Sequence, residues 1–356
     1  MNSREDVKRI AFIIGCMGRG GAERVISILA NHYAEKGWQV DILLLLNNRC
    51  DYQLNRNIKI IPICNENKSK ISYLPKWMYG IRKYIIQNKP DRIVSFVARI
   101  NIITILASIG LNKHIVVSER NDPASDGRSI IVRLATRILY PLVDCVVFQT
   151  KWAQSCFSKR VQNKSEIILN PIHVNTVASN NKEKKIVAVG RLLEQKNHAM
   201  LIRAFKKVND EYSDYKLYIY GEGKLRDVLT KQIQELELVE AVFLPGNVSD
   251  IHEKIADAEV FVLSSNYEGL SNALLEAMMM GLPCISTDCA GANEVIQNGE
   301  NGLLIPIGVT DKLIEAMKEL TSNREFAIQL GEEAEITSQE FAKHNVLKKW
   351  EEVIEN

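Results

Sequence analysis

Short apolar runs alternate with stretches of helical periodicity along the chain. Val/Ile/Leu-rich runs fall at residues 9–14, 40–46, 58–63, 92–96, 114–118, 145–149, 166–169, 185–189, 216–220, 242–244, 260–264 and 283–287. Many lack polar alternation, as strands covered on both faces should. Amphipathic segments at 22–35, 73–88, 198–211, 224–236 and 271–279 read as helices between them. Strand–helix alternation predicts parallel sheets with crossover helices. About a dozen strands exceed one ordinary domain, so the pattern predicts an α/β protein of two doubly wound, Rossmann-like domains. The break is expected at 171–184, which is polar, Asn-rich and aperiodic. The domains are then 1–171 and 172–339, with a C-terminal helix at about 340–356 expected to pack back on the first.

A length of 356 residues agrees, since single cores stop growing near ~250–300 residues. The net charge of +2 hides a split: residues 1–171 carry 26 basic and 13 acidic side chains, and 172–356 carry 19 and 30. Such asymmetry points to two domains with different partners. Seven cysteines stand singly, with no Cys-x-x-Cys pair, which disfavours a disulfide framework or zinc site and favours a reducing cytoplasm. No apolar stretch reaches spanning length, and the run at 10–14 is too short for a signal-peptide core.

Four features suggest chemistry. After the first run come Gly15, Gly18, Gly20 and Gly21, leading into a helix. The spacing fits neither the dinucleotide fingerprint nor a P-loop. Close approach of backbone N–H groups to an anion is the favoured reading, and a plain turn the alternative. In the second half, Gly190-Arg191 and Lys196 follow a strand and precede a helix, where two cations can converge on one phosphate. Gly221 and Gly223 form a second strand-to-helix turn, for which a bland structural role is favoured. Finally, Glu268-Gly269-Leu270-Ser271 leads into a helix containing Glu276, with Ser271 as its expected N-cap. Backbone N–H groups of 269–271 suit an anion, and the two carboxylates can hold two hydroxyl-bearing parts of one ligand.

With these motifs the chain resembles, over essentially its whole length, the retaining nucleotide-sugar glycosyltransferases of family 4, which have the GT-B fold. The Glu268–Glu276 spacing, seven residues between, matches that family's motif. The resemblance implies two Rossmann-like domains facing a cleft, with the donor mainly on the second. It assigns Arg191 and Lys196, after Gly190, to the donor diphosphate and to the charge on the departing nucleotide. Glu268 would bind the transferred sugar and Glu276 the ribose. Gly269, Leu270 and Ser271 would bind through backbone N–H groups, and Val248 would lie against the base. Gly18, Gly20 and Gly21 would close on the diphosphate. No metal or other cofactor is implied, and no Asp-x-Asp triplet is present. Retention would follow from front-face attack, with the leaving phosphate deprotonating the acceptor.

At Ser118-Glu119-Arg120-Asn121 the chain departs from relatives that carry a His nearby. This variation resembles the branch that builds bacterial capsules, exopolysaccharides and lipid-linked glycans. Glu119 or Arg120 is expected to orient acceptor or donor sugar; a domain-stabilising pair is the alternative. The stretch 68–89 mixes Lys68, Lys70, Lys76, Arg82 and Lys83 with Trp77 and Tyr79 at helical spacing. With Arg128, Arg133 and Arg137 it suggests an anionic membrane surface. Nucleic acid is disfavoured: no recognition motif occurs and the sequence pI is a modest 8.1. The expected protein transfers a hexose or N-acetylhexosamine from a UDP-sugar to a lipid-linked or growing surface glycan. It would work in the cytoplasm, peripherally on the inner membrane face. A non-catalytic sugar-nucleotide binder and a GT-B epimerase are the alternatives.

Overall fold

The computed structural model describes residues 7–18, 20–63, 73–124, 126–289 and 291–356. Lys68 and Lys70 of the expected basic stretch, and Cys64, lie outside the described residues. Two compact units emerge: Met1–Pro171 with Val346–Asn356, and Ile172–Asn345.

The first unit holds seven strands: β1 (Arg9–Ile14), β2 (Gln39–Leu44), β3 (Lys59–Pro62), β4 (Arg92–Phe96), β5 (His114–Ser118), β6 (Cys145–Phe148) and β7 (Ser165–Ile167). They pair in parallel in the order β3-β2-β1-β4-β5-β6-β7. The second unit holds β8 (Glu183–Val189), β9 (Lys216–Tyr220), β10 (Val242–Gly246), β11 (Ala258–Leu263), β12 (Cys284–Thr287) and β13 (Leu303–Ile305). Their order is β10-β9-β8-β11-β12-β13, again parallel. In both sheets the order reverses beside the first strand, which opens a binding crevice at the carboxyl ends. Helices cover the central strands, so β1 and β2 are buried beyond their first residues and β12 is buried throughout.

β13 was not anticipated. Three residues after Gly302 are too few to show a period, and only pairing with β12 makes them a strand.

The C-terminal helix Lys343–Glu355 joins the first unit from Val346 onward. Trp350 is fully buried and stacks on Phe96 with ring centroids 5.7 Å apart. Glu351 takes both His32 Nε2 at 2.8 Å and Lys36 Nζ at 2.6 Å. Arg92 Nη2 donates to the Glu355 carbonyl at 3.0 Å. Packing and charge together hold this helix to the first sheet.

Candidate active site

Three strand-end loops of the second unit are laced into one platform. Gly190 N–H donates to Tyr220 O at 2.9 Å, Leu192 N–H to Glu222 O at 3.0 Å and Gly221 N–H to Gly246 O at 2.9 Å. A Cβ on Gly221, at φ 142°, would stand 2.0 Å from Gly190 O, and one on Gly223 would stand 2.3 Å from Leu192 O. The second glycine turn therefore cradles the first by backbone contact. Gly190 in turn carries the Lys196 stem: its Cβ would meet Lys196 Cε at 3.0 Å. Asn197, left-handed at φ 47°, ends the short turn and caps the helix His198–Asn209 through its side chain. His198 is buried below. Burial and the Lys196 charge push its pKa down to about 4, against the pull of the Gly190 and Arg191 backbone.

The loop after β11 is tied to this platform. Ser264 Oγ donates to Lys196 O at 2.9 Å, Asn266 N–H to Gln195 O at 2.8 Å and Asn266 Nδ2 to Glu194 O at 2.9 Å. Lys196 Nζ and Glu268 Oε1 meet at 2.5 Å, and Ser265 Oγ donates to the same carboxylate oxygen at 3.0 Å. Both charged groups are largely buried, where an ion pair is strong only with such extra bonds. Ser271 occupies the N-cap position of the helix Asn272–Met279, but its hydroxyl makes no capping bond. Glu276 is buried one turn on, with Oε2 3.6 Å from His252 Nε2. A Cβ on Gly291 would fall 1.5 Å from Gly269 O and 2.8 Å from Leu270 Cα, so the backbone of Gly269 and Leu270 rests directly on that glycine. Arg191 is exposed and Val248 half-buried after β10. Arg191, Lys196, Glu268 and Glu276 thus all sit on elements at the carboxyl edge of one sheet. Sequence reasoning missed His252 and the supporting role of Gly291; nothing local marked either.

In the first unit, Gly20 is the N-cap of the helix Gly21–Glu35. Its N–H donates to Tyr52 Oη at 3.3 Å, and Tyr52 Oη donates back to Gly20 O at 2.8 Å. This partner was not foreseen, and it occupies one of the N–H groups expected to meet a diphosphate. Gly18 lies just before, with no Cβ clash closer than 3.8 Å.

Two of the expected site residues lie inside the first unit. Glu119 accepts from Arg128 Nη2 at 2.8 Å, from Arg128 Nη1 at 3.3 Å and from the Tyr140 hydroxyl, all buried. Arg120 is buried between the Phe96 and Trp350 rings, 5.4 and 6.0 Å from their centroids, and donates to Asn170 Oδ1 at 2.9 Å. Burial pushes its pKa down to about 9. Arg120 Nε and Nη1 are buried with no hydrogen-bond partner among the described residues. In the helix Leu74–Asn88, Trp77, Ile81, Tyr84 and Ile85 face the core, while Tyr79 and Ile86 stay exposed. Arg82 Nη1 is spent on the carbonyls of Ala107 and Ile109, at 3.0 and 2.8 Å. Lys76 and Lys83 alone of the four expected contacts stay exposed.

Residues 171–337 match the model of glycosyl transferases group 1, and residues 19–176 that of Glycosyltransferase Family 4. A glycosyltransferase of Methanocaldococcus jannaschii is 31% identical over 72% of this chain and 69% of its own. The chain is a family 4 glycosyltransferase. This glycosyltransferase is 29% identical to a Campylobacter jejuni relative, over 88% of this chain and 90% of that one. The relative's name describes a 4-alpha-N-acetylgalactosaminyltransferase of N-acetylgalactosamine-N,N'-diacetylbacillosaminyl-diphospho-undecaprenol. Its fold matches HepE of Anabaena, solved in complex with UDP, at TM-score 0.80 and 17% identity over 97% of this chain and 98% of that one. The two parallel-sheet units of the glycosyltransferase are the GT-B fold.

Proposed function

We propose that this glycosyltransferase moves a hexose or N-acetylhexosamine from a UDP-sugar onto a lipid-linked or growing surface glycan, with retention of configuration. The observation that carries the reading is the Lys196–Glu268 pair at the sheet's carboxyl edge, with Glu276 in the helix behind. The Campylobacter relative, named for a diphospho-undecaprenol acceptor, and the UDP complex of HepE support acceptor and donor class.

Arg191 and Lys196 bind the donor diphosphate and stabilise charge as the sugar–phosphate bond breaks. These cations take the part a metal would otherwise play. Glu268 accepts from hydroxyls of the transferred sugar, and Glu276 from the ribose. The backbone of Gly269, Leu270 and Ser271 offers N–H groups to sugar or phosphate, and Val248 lines the base. Gly18, Gly20 and Gly21 approach the diphosphate. The acceptor hydroxyl attacks the anomeric carbon from the leaving-group side. Its proton passes to the departing phosphate oxygen, so no protein base is needed. Among the described residues no helix is long and apolar enough to cross a membrane. In this reading the lipid-linked acceptor is met at the cytoplasmic membrane face.

The test is release of nucleoside diphosphate from a panel of sugar donors with an undecaprenyl-diphosphate-linked saccharide, with product anomers read by NMR. Release that depends on acceptor, with retained configuration, is expected. An inverted product, or no acceptor dependence, overturns the reading.

A further inference from the structure

His252 faces the carboxylate assigned to the ribose, yet the proposed transfer gives it no part. It sits in the short helix Ile251–Ile255, through which the chain crosses from β10 to β11. β10 ends at Gly246, left-handed at φ 84°, whose carbonyl accepts from Gly221 N–H at 2.9 Å. The Lys254 carbonyl accepts from Lys185 Nζ at 2.7 Å and from Tyr220 Oη at 3.3 Å, which pins the helix to β8 and β9. Val248, assigned to the base, lies in the same connection, four residues before His252. His252 is therefore held in place by the sheet rather than carried on a free loop.

The two side chains face each other inside the second unit, that of His252 15% exposed and that of Glu276 9%. His252 Nε2 stands 3.6 Å from Glu276 Oε2. That is beyond hydrogen-bond length, and Nε2 is buried with no hydrogen-bond partner among the described residues. Buried side-chain nitrogens are nearly always hydrogen-bonded, so this one calls for an explanation.

The chemistry of the pair supplies it. A carboxylate only accepts, so Glu276 takes the hydrogen of a hydroxyl but offers nothing to that hydroxyl's oxygen. Nε2–H only donates, in the Nε2-protonated tautomer and in the imidazolium alike. An oxygen about 2.8 Å from both atoms fits a separation of 3.6 Å. A hydroxyl there donates to Oε2 and accepts from Nε2–H, which satisfies all three groups. A phosphate oxygen has no hydrogen to give and would be repelled by Glu276.

We propose that His252 and Glu276 read the donor's ribose together, His252 donating to the hydroxyl from which Glu276 accepts. His252 is then a specificity-determining residue that separates ribonucleotides from deoxyribonucleotides. A site built to bond a hydroxyl rejects the analogue without it, because its own buried groups are left unpaired. This inference rests on the assignment of Glu276 to the ribose, and its test distinguishes failure of the one from failure of the other.

The test is titration calorimetry of the full chain with UDP, 2′-deoxy-UDP and 3′-deoxy-UDP. The wild-type enzyme is expected to bind UDP at least tenfold more tightly than one of the deoxy forms. His252→Ala should weaken UDP five- to tenfold and leave that deoxy form within twofold, so that the preference nearly disappears. His252→Phe, which keeps a ring but no donor, should behave alike, and His252→Gln, which keeps an N–H donor, should recover part of the preference. Equal binding of the three nucleotides by the wild type, or no binding, overturns the Glu276 assignment and this inference with it. A wild-type preference that survives in both His252→Ala and His252→Phe overturns this inference alone. So does an equal loss of UDP and both deoxy forms, the result a purely structural histidine gives.

Discussion

Lys196 Nζ lies 2.5 Å from Glu268 Oε1, which joins the cation assigned to the donor phosphate to the carboxylate assigned to its sugar. A phosphate approaching Lys196 competes with Glu268 for one ammonium. Lys196→Ala should therefore weaken binding of the nucleoside diphosphate and cut turnover at least tenfold. Glu268→Gln should separate the two effects. It should tighten the nucleoside diphosphate several-fold, about 1 kcal/mol, while lowering kcat at least tenfold. Titration calorimetry and steady-state kinetics read both, and equal losses in the two variants would remove the competition.

Gly291 supports the backbone of Gly269 and Leu270 from below. A methyl group there has no room, since the contact is to backbone rather than to a flexible side chain. Gly291→Ala should raise the donor KM and cut kcat/KM at least tenfold, though residue 291 carries no chemistry. An unchanged KM would mean that the loop shifts without consequence for donor binding.

Arg128 neutralises buried Glu119. Arg128→Ala leaves that carboxylate without its cation, and loss of one partner of a buried pair costs about 3–5 kcal/mol. Urea unfolding should show the loss, while donor KM of the folded enzyme should stay within twofold. A large KM change with intact stability would return Glu119 to the active site.

His198 makes the second unit acid-sensitive. The unfolded imidazole takes a proton near 6.5 and the folded one only near 4. Between those values the unfolded chain binds more protons, so this contribution is present above pH 6.5 and lost as pH falls. From pH 7.5 to 5 the loss is about 2 kcal/mol. His198→Phe should remove that increment, seen as a smaller change in urea midpoint between the two pH values. An identical pH dependence in both proteins would refute it.

Most of the fold was legible in the sequence, because buried parallel strands must be apolar on both faces and crossover helices on one. The runs at 9–14, 92–96, 114–118 and 216–220 coincide with β1, β4, β5 and β9 residue for residue. That Gly190, Arg191, Lys196, Glu268 and Glu276 lie beside strand ends and helix starts was legible for a related reason. Close loop approaches demand glycine, and a helix start after a strand fixes where nearby charges lie.

What the sequence by itself determined is thus a set of local facts: which segments are apolar, which turns need glycine, and which charges neighbour a helix start. Only the tertiary structure decided which partner each side chain meets. Glu119 looked available until Arg128 and Tyr140 closed on it, and Arg120 until Phe96 and Trp350 enclosed it. The helices Leu74–Asn88 and Ile130–Leu139 are both amphipathic, basic and apolar. One buries Trp77, Ile81 and Tyr84 and leaves Tyr79 and Ile86 outside, and the other leaves Ile130, Ile131, Leu134 and Ile138 outside. Helical periodicity specifies that apolar positions share a face. Whether that face is covered depends on elements distant along the chain, and only packing brings those together.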